Sequence, residues 1–375
     1  MKDHAISFFG LCLALLVFAL PAPAEALEIT DLAGRKVMLE KPAQTVVLGD
    51  GRVIPAIALL DRDDPTARIT ALISNLNWTD PRLLAELRDK FSSARSMQVF
   101  SGSADTVSVE KIITLAPDAA IFGVHDHGPG TRSHELIAQL EASGTAVVFI
   151  DFRMDPLKNT VPSIRVLGQL LGREKEAEEF IEFYSSRKQR VERRISKLIA
   201  KRPSVFLQVH AGRRQCCSGM AHGMLGPFVT FAGGHNISAD VTPAMVGLHT
   251  LEFLVTANPD IWIGTASGEK YEVEQGTPVI TLGSGVDAAF GRKTLQMALK
   301  SDELTVLKAY QQGRAHAIWH NFYNSPLNIF VLEQFAKWFH PQLFEDVDPH
   351  GTLTEIDRRF LPLDLNGRYS VSLRK

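Results

Sequence analysis

Cysteine is almost absent: the 375-residue chain contains three, and one of them, Cys12, sits inside an apolar leader. The other two, Cys216 and Cys217, are neighbours in the chain. Adjacent cysteines do not close a loop of chain, so no disulfide framework holds this fold together. Whether the two pair with each other, or keep thiols for a metal or a redox role, stays open. Excess charge of one sign is also lacking. Forty basic residues against 42 acidic ones leave a formal charge of −2, which removes any global attraction to nucleic acid or to anionic membranes. Beyond the N-terminus there is no apolar run of the ~20 residues that a membrane span needs. Several catalytic patterns are missing as well: there is no P-loop, no G-x-S-x-G elbow and no H-E-x-x-H, and His134-Glu135 lacks its second histidine. Gly283-Ser284-Gly285-Val286-Asp287-Ala288 fits G-x-G-x-x-A. That pattern belongs at the first βαβ unit of a nucleotide-binding domain, and here it comes late, with no strand visible after its helix. It is read as a glycine-rich loop.

The N-terminus carries the clearest signal. Lys2 is followed by the apolar run Ile6 to Leu20, a break at Pro21 and the small-residue site Ala24-Glu25-Ala26. This is the pattern of a cleavable export signal over residues 1–26, with the mature, exported chain starting at Leu27. The run is short for an uncleaved anchor. About 350 residues follow, enough for two hydrophobic cores.

Those residues alternate between apolar runs and amphipathic segments. Strands are expected at 45–48, 69–73, 119–122, 146–150, 204–209, 260–263 and 315–319, most of them continuous and rich in β-branched residues. Asp80-Pro81 opens one of the intervening helices, with Leu83, Leu84 and Leu87 on one face. Such alternation implies parallel α/β sheets. Residues 174–200 differ: no glycine or proline, many charges, and Ala177, Phe180, Ile181, Tyr184, Val191, Ile195 and Leu198 at helical spacing. They predict one helix of ~40 Å, read as a rigid connector between two lobes. The organisation expected is an N-terminal lobe over 27–157, a connector over 158–202 and a C-terminal lobe over 203–375.

An internal repeat supports two related lobes. Val109 to Ile121 recurs in outline as Leu251 to Ile263. In each copy a glutamate (Glu110, Glu252) opens a short helix, Pro-Asp follows seven residues later and a strand comes next. The proline stops the helix.

With these features the chain resembles the periplasmic binding proteins of ferric-siderophore and cobalamin ABC importers, whose lobes are joined by a single long helix. Ile29 to Val37 looks like that family's first hairpin, Thr45 to Leu48 like its first core strand, and the paired Glu-containing helices before Pro-Asp are its most recognisable feature. The resemblance implies two Rossmann-like lobes with central, mostly parallel sheets. It implies a monomer that binds no nucleic acid and performs no chemistry on its ligand. The expected partner is an inner-membrane permease with its ATPase, docked through Glu110 and Glu252.

In open α/β sheets ligands bind beyond the carboxyl ends of the strands. The loops there carry Arg52, Trp78, His125, His127, Arg153, Arg213, Arg214, Trp319, His320 and Tyr323. Arginines suit the carboxylate, catecholate or hydroxamate oxygens around chelated iron, and the aromatic residues suit its flat parts. The guest expected is a ferric chelate, with no resident cofactor. Haem or cobalamin is the alternative. A further alternative is direct metal binding by His125 and His127, completed by His222, His235 or His320 and a carboxylate.

Overall fold

The structure, a computed structural model, describes residues 26–73, 80–100, 107–125, 128–213 and 216–374. Among them no helix is long and apolar enough to cross a membrane. The export signal, Trp78, His127 and Arg214 lie outside the described residues.

A hairpin of β1 (Leu27–Thr30) and β2 (Lys36–Leu39) opens the chain. The first sheet holds β3 (Val46–Leu48), β4 (Ile69–Leu72), β5 (Gln98–Val99), β6 (Ala119–Gly123) and β7 (Ala146–Ile150). They lie in the order β5-β4-β3-β6-β7, all parallel. Val46, Val47, Leu48, Ala120 and Ile121 are fully buried, as expected of strands covered by helices on both faces.

A second, separate sheet holds β8 (Ser204–Gln208), β9 (Ser218–Met220), β10 (His235–Asn236), β11 (Val246–Leu248), β12 (Ile261–Ala266), β14 (Ala315–Trp319) and β16 (Ser370–Ser372). Its centre is parallel, with β12 between β8 and β14. The sheet as a whole is mixed, because β9 pairs antiparallel with both β8 and β11 and β16 pairs antiparallel with β14. For β8 and β9 the cause is connection length: no crossover helix separates them, and strands joined by a short loop run antiparallel. Cys216 and Cys217, just before β9, are joined to each other as a disulfide. The glycine-rich stretch does not begin a βαβ unit. Gly283–Ser284 forms β13, paired antiparallel with β15 (Gly367–Arg368), and Asp287 caps the helix Ala288–Ser301.

The two sheets are linked by the helix Glu174–Ile195. It stops five residues short of the expected end because its apolar face runs out of partners: Ile195 is buried, whereas Ile199 is wholly exposed. The helix packs on Pro156–Leu171, which follows β7, and on Ile329–Phe339 from the second lobe. At this junction the Tyr184 hydroxyl donates to Asn328 Oδ1 (2.9 Å), and Asn328 Nδ2 donates to Thr160 Oγ1 (3.0 Å). One polar chain thus ties the connector helix to the second lobe and to the helix that follows β7. Arg190 reaches the fully buried Glu333, which also accepts from Thr352 Oγ1 at 2.6 Å. A buried carboxylate with two such partners fixes the angle between connector and second lobe, since removing a partner costs about 3–5 kcal/mol.

A second tie lies across from the connector. Arg82, in the helix Pro81–Lys90, donates to the carbonyls of Leu282 (2.9 Å) and Ser284 (2.5 Å) and pairs with Glu269 (3.3 Å). Asp80 caps this helix through the Leu83 N–H at 3.1 Å. Burial pushes its carboxyl up to about 6, outweighing the Leu83 N–H and the Arg82 guanidinium, with Glu269 and Glu86 adding to the rise. A carboxyl raised in the folded state contributes stability that is whole below the ordinary carboxyl range and is lost as pH rises through about 6. Asp80→Asn keeps the cap and removes the charge. Thermal denaturation of the variant should match the wild type at pH 4 and show a higher Tm at pH 7.5; equal melting temperatures at both pH values would place Asp80 in contact with solvent.

Candidate functional site

The two lobes present their strand ends to one another. After β3 the chain turns through a short 3-10 segment, Gly51–Val53. There Asp50 and Arg52 form a closed pair: Arg52 Nε donates to both carboxylate oxygens at 3.0 Å, Nη2 donates to Oδ2 at 2.6 Å, and the Arg52 N–H donates to Oδ1 at 2.9 Å. Both side chains are buried, 4% and 8% exposed. A bidentate pair in that setting is rigid as well as strong. The remaining guanidinium nitrogen of Arg52 donates to the hydroxyl of Tyr323, from the second lobe.

Tyr323 lies in the turn His320–Asn324 that follows β14. Two guanidiniums of the first lobe face its ring, Arg52 at 5.2 Å and Arg153 at 5.8 Å from the centroid, within cation–π range. Arg153 follows β7. Its N–H donates to the buried Asp151 (2.8 Å), and its carbonyl accepts the Met224 N–H across the lobe boundary (2.7 Å). Asn324 Nδ2 donates to Asp50 Oδ2 at 3.3 Å, a further cross-lobe bond. Behind Tyr323 stand two imidazoles. His320 is 4.6 Å from the tyrosine ring, and His210, after β8, is 3.9 Å from His320. Thr265 Oγ1 near the end of β12 accepts the main-chain N–H of His210 at 2.8 Å and meets His320 Nδ1 at 3.0 Å, while the His210 ring bonds Ser267 Oγ through Nδ1 at 2.7 Å. His210 holds φ of +48°, a left-handed conformation that a side-chain-bearing residue adopts only when its surroundings impose it.

Of the ten residues expected at the cleft, the structure therefore gathers Arg52, Arg153, His320 and Tyr323 into one interlobe column. His125 stands beside it, lining a crevice with Asp50, Arg153 and Asn324 and meeting Arg132 Nη2 at 3.2 Å. Arg213 is not gathered there: its guanidinium goes to the Ser267 carbonyl (2.8 Å) and to Glu272. Trp319 is a wall, packed edge-on against Phe322 and Tyr369 at 5.1 and 5.4 Å. His235 pairs with Asp240, and His222 meets the Ala239 carbonyl, both at exposed positions. Among the described residues no three His, Cys, Asp or Glu side chains converge as a metal site. Asp50, Asn324, His210 and Thr265 were not singled out from sequence. Among the described residues, the column stands where the strand ends of the two lobes meet.

The repeated segments occupy equivalent places. Ser108 and Thr250 cap the helices Val109–Thr114 and Leu251–Ala257 through their hydroxyls, and Glu110 and Glu252 follow two residues later, both exposed. Each helix ends in a left-handed residue before Pro-Asp, Ala116 (φ 44°) or Asn258 (φ 40°). The aspartates then clasp the residue at the start of each lobe's central strand. Asp118 accepts from Thr45 N–H (2.9 Å) and Oγ1 (3.1 Å), and Asp260 from Ser204 N–H (2.8 Å) and Oγ (2.9 Å). Burial works to raise the Asp260 carboxyl, but these bonds and Lys308 hold it down at about 2. Two lobes of one design, facing across a basic column, define a solute-binding protein.

The comparisons agree. The periplasmic binding protein family model matches residues 74–317, and the chain belongs to that family. Its members serve ABC importers, passing solute to a permease coupled to an ATPase. The chain is similar in structure to the TroA-like periplasmic binding protein FepB from Veillonella parvula: TM-score 0.81, 26% identity, 93% of this chain and 100% of that one covered. The molybdate-bound binding protein MolA of Haemophilus influenzae follows at TM-score 0.64 and 17% identity, over 89% and 97% of the chains. A protein of an Fe3+-hydroxamate transport system from Saccharomonospora viridis gives 0.55 and 19%, over 84% and 99%. No curated protein matches the chain.

Proposed function

We propose that the protein is the periplasmic solute-binding component of an iron-uptake importer and that its guest is a ferric chelate held between the lobes. The carrying observation is the column itself: Arg52 and Arg153 from one lobe flank Tyr323 from the other, with His320 and His210 behind. Guanidinium groups match the anionic oxygens of a chelate, and the phenol and imidazoles offer π faces and further ligating atoms. Arg52 is anchored on Asp50, so a guest that displaces Tyr323 meets a guanidinium already oriented. Trp78, His127 and Arg214 are proposed, from their place in the strand-end loops alone, to complete the lining. Direct coordination through His125 and His127 ranks below the chelate, because the described groups that converge are chiefly cations and aromatics.

Around this site we read residues 1–26 as an export signal, 27–157 and 203–375 as the lobes and 158–202 as the connector region. Glu110 and Glu252 are the proposed contacts to the permease. Their equivalent, exposed places at the starts of matched helices support that role.

The test is a visible spectrum of protein purified from iron-starved cells, followed by thermal-shift titration with ferric citrate, a ferric hydroxamate, a ferric catecholate, cobalamin and haem. A chelate-type charge-transfer band is expected, and one ferric chelate should raise Tm, since ligand at 100 times its Kd stabilises by about 2.7 kcal/mol. A Soret band would move the assignment to haem. A colourless protein that none of the five stabilises would overturn the iron reading.

A further inference from the structure

The edge of the second sheet carries a surface unrelated to the interlobe column. The edge strand β16 pairs with β14 on one side, and among the described residues no strand pairs with it on the other. Its register is marked by two bonds, Leu373 N–H to the Ala315 carbonyl (2.9 Å) and Trp319 N–H to the Tyr369 carbonyl (2.8 Å). Residues 369, 371 and 373 therefore direct their peptide groups toward β14. By the alternation of an antiparallel ladder, Ser370 and Ser372 direct theirs to the other side, where Ser370 is 4% exposed and Ser372 half-buried, at the floor of a groove. This groove, along the free edge, measures about 660 Å³, counted to its open mouth.

The groove is basic. Arg292 from the helix Ala288–Ser301, Lys337 from Ile329–Phe339, Arg368 from β15 and Arg374 beyond β16 all line it, against a single carboxylate, Asp348. Lys337 and Arg374 are each spent on one backbone carbonyl, of Val347 and Gln311. Among the described residues neither Arg292 nor Arg368 meets a carboxylate within ion-pair distance. Three net positive charges thus collect in one groove of a chain whose formal charge is −2. The floor is stiff: Ser372 Oγ bonds His316 Nδ1 (2.8 Å), the His316 ring stacks on Trp338 at 4.3 Å, and Ser370 Oγ donates to Gln334 (2.9 Å).

We infer that this edge is a docking site for an extended, acidic peptide segment of a partner protein, which adds a strand to β16 and sets its carboxylates against Arg292 and Arg368. Strand addition draws affinity from main-chain bonds and selectivity from flanking side chains. Basic residues on a free edge also discourage self-pairing, and here they discourage it selectively: a second copy would bring the same cations to the same edge, whereas an acidic strand brings their complement. The surface shares no residue with the interlobe column, so the inference stands independently of the iron assignment.

The test uses the whole protein and a fluorescein-labelled nine-residue peptide of alternating valine and glutamate, followed by anisotropy. Saturable binding is expected. It should weaken at least tenfold in R292E/R368E, and at least tenfold for the same peptide N-methylated at alternate peptide nitrogens, with Ser370 and Ser372 amides protected from exchange in the complex. The milder R292Q/R368Q pair, checked by circular dichroism, guards against a misfolded variant and should weaken binding in the same direction. Absence of saturable binding would overturn the proposal. So would equal binding of the N-methylated peptide, which would mark a site for anions of any kind rather than for a strand.

Discussion

Glu110→Arg and Glu252→Arg are expected to abolish uptake of the bound chelate in cells while leaving its affinity for the purified protein unchanged. Both carboxylates are exposed, and each sits in the first turn of its helix, where the macrodipole favours a negative charge. Ser108 Oγ also donates to Glu110 at 2.7 Å, and this bond holds the Glu110 carboxyl below its usual range. Neither residue touches the interlobe column, so reversal should cost the fold little; surface substitutions usually change stability by less than ~0.5 kcal/mol. In the proposed docking role, two like charges at matched places on two lobes would present a permease with a pair of fixed points, and replacing attraction by repulsion at either would remove the productive complex. Transport assays paired with chelate titrations check this. Normal uptake by both reversals would remove the docking role, and lost affinity would assign the two glutamates to the binding site.

The second large effect concerns the arginines of the column. Arg153→Ala removes one charge-assisted contact, about 1.5–3 kcal/mol, or roughly ten- to a hundredfold in Kd. Arg52→Ala should do more, because it also removes the cationic partner of the buried Asp50 carboxylate and leaves it only neutral N–H donors such as Asn324, a fault of about 3–5 kcal/mol in stability. The two consequences separate in the double variant Asp50→Ala/Arg52→Ala. With the Asp50 charge removed as well, much of the stability should return, whereas chelate affinity should stay low. Urea unfolding and equilibrium titration of the three proteins measure both. Recovery of affinity in the double variant would show that Arg52 acts only as the partner of Asp50.

How much of this was visible before the coordinates depends on how local the cause is. The seven expected strands all appear, six of them inside the two sheets and β7 at the edge of the first, because strands buried on both faces are continuous apolar runs. The short strands β9, β10, β11 and β16 escaped. Ser218-Gly219-Met220 and His235-Asn236 carry no such run, and their pairing is set by neighbours far along the chain. The repeat proved structural in detail, down to the left-handed residue before each Pro-Asp. In the site, the strand-end rule picked out the loops that meet, but it could not apportion roles within them. Arg213 looked equivalent to Arg153 until Glu272, 59 residues away, claimed its guanidinium. Asp50 left only a faint trace, an acid two residues before an arginine at a strand end, and Asn324 left none, since its use depends on a turn 274 residues distant.

The claim on which the rest depends is that one guest engages both lobes at the Arg52–Tyr323–Arg153 column. Amide hydrogen exchange with and without the stabilising ferric chelate tests it most directly. Protection should rise together at 50–54 and 151–154 in the first lobe and at 210 and 320–324 in the second. Protection confined to one lobe, or found only away from these segments, would contradict it.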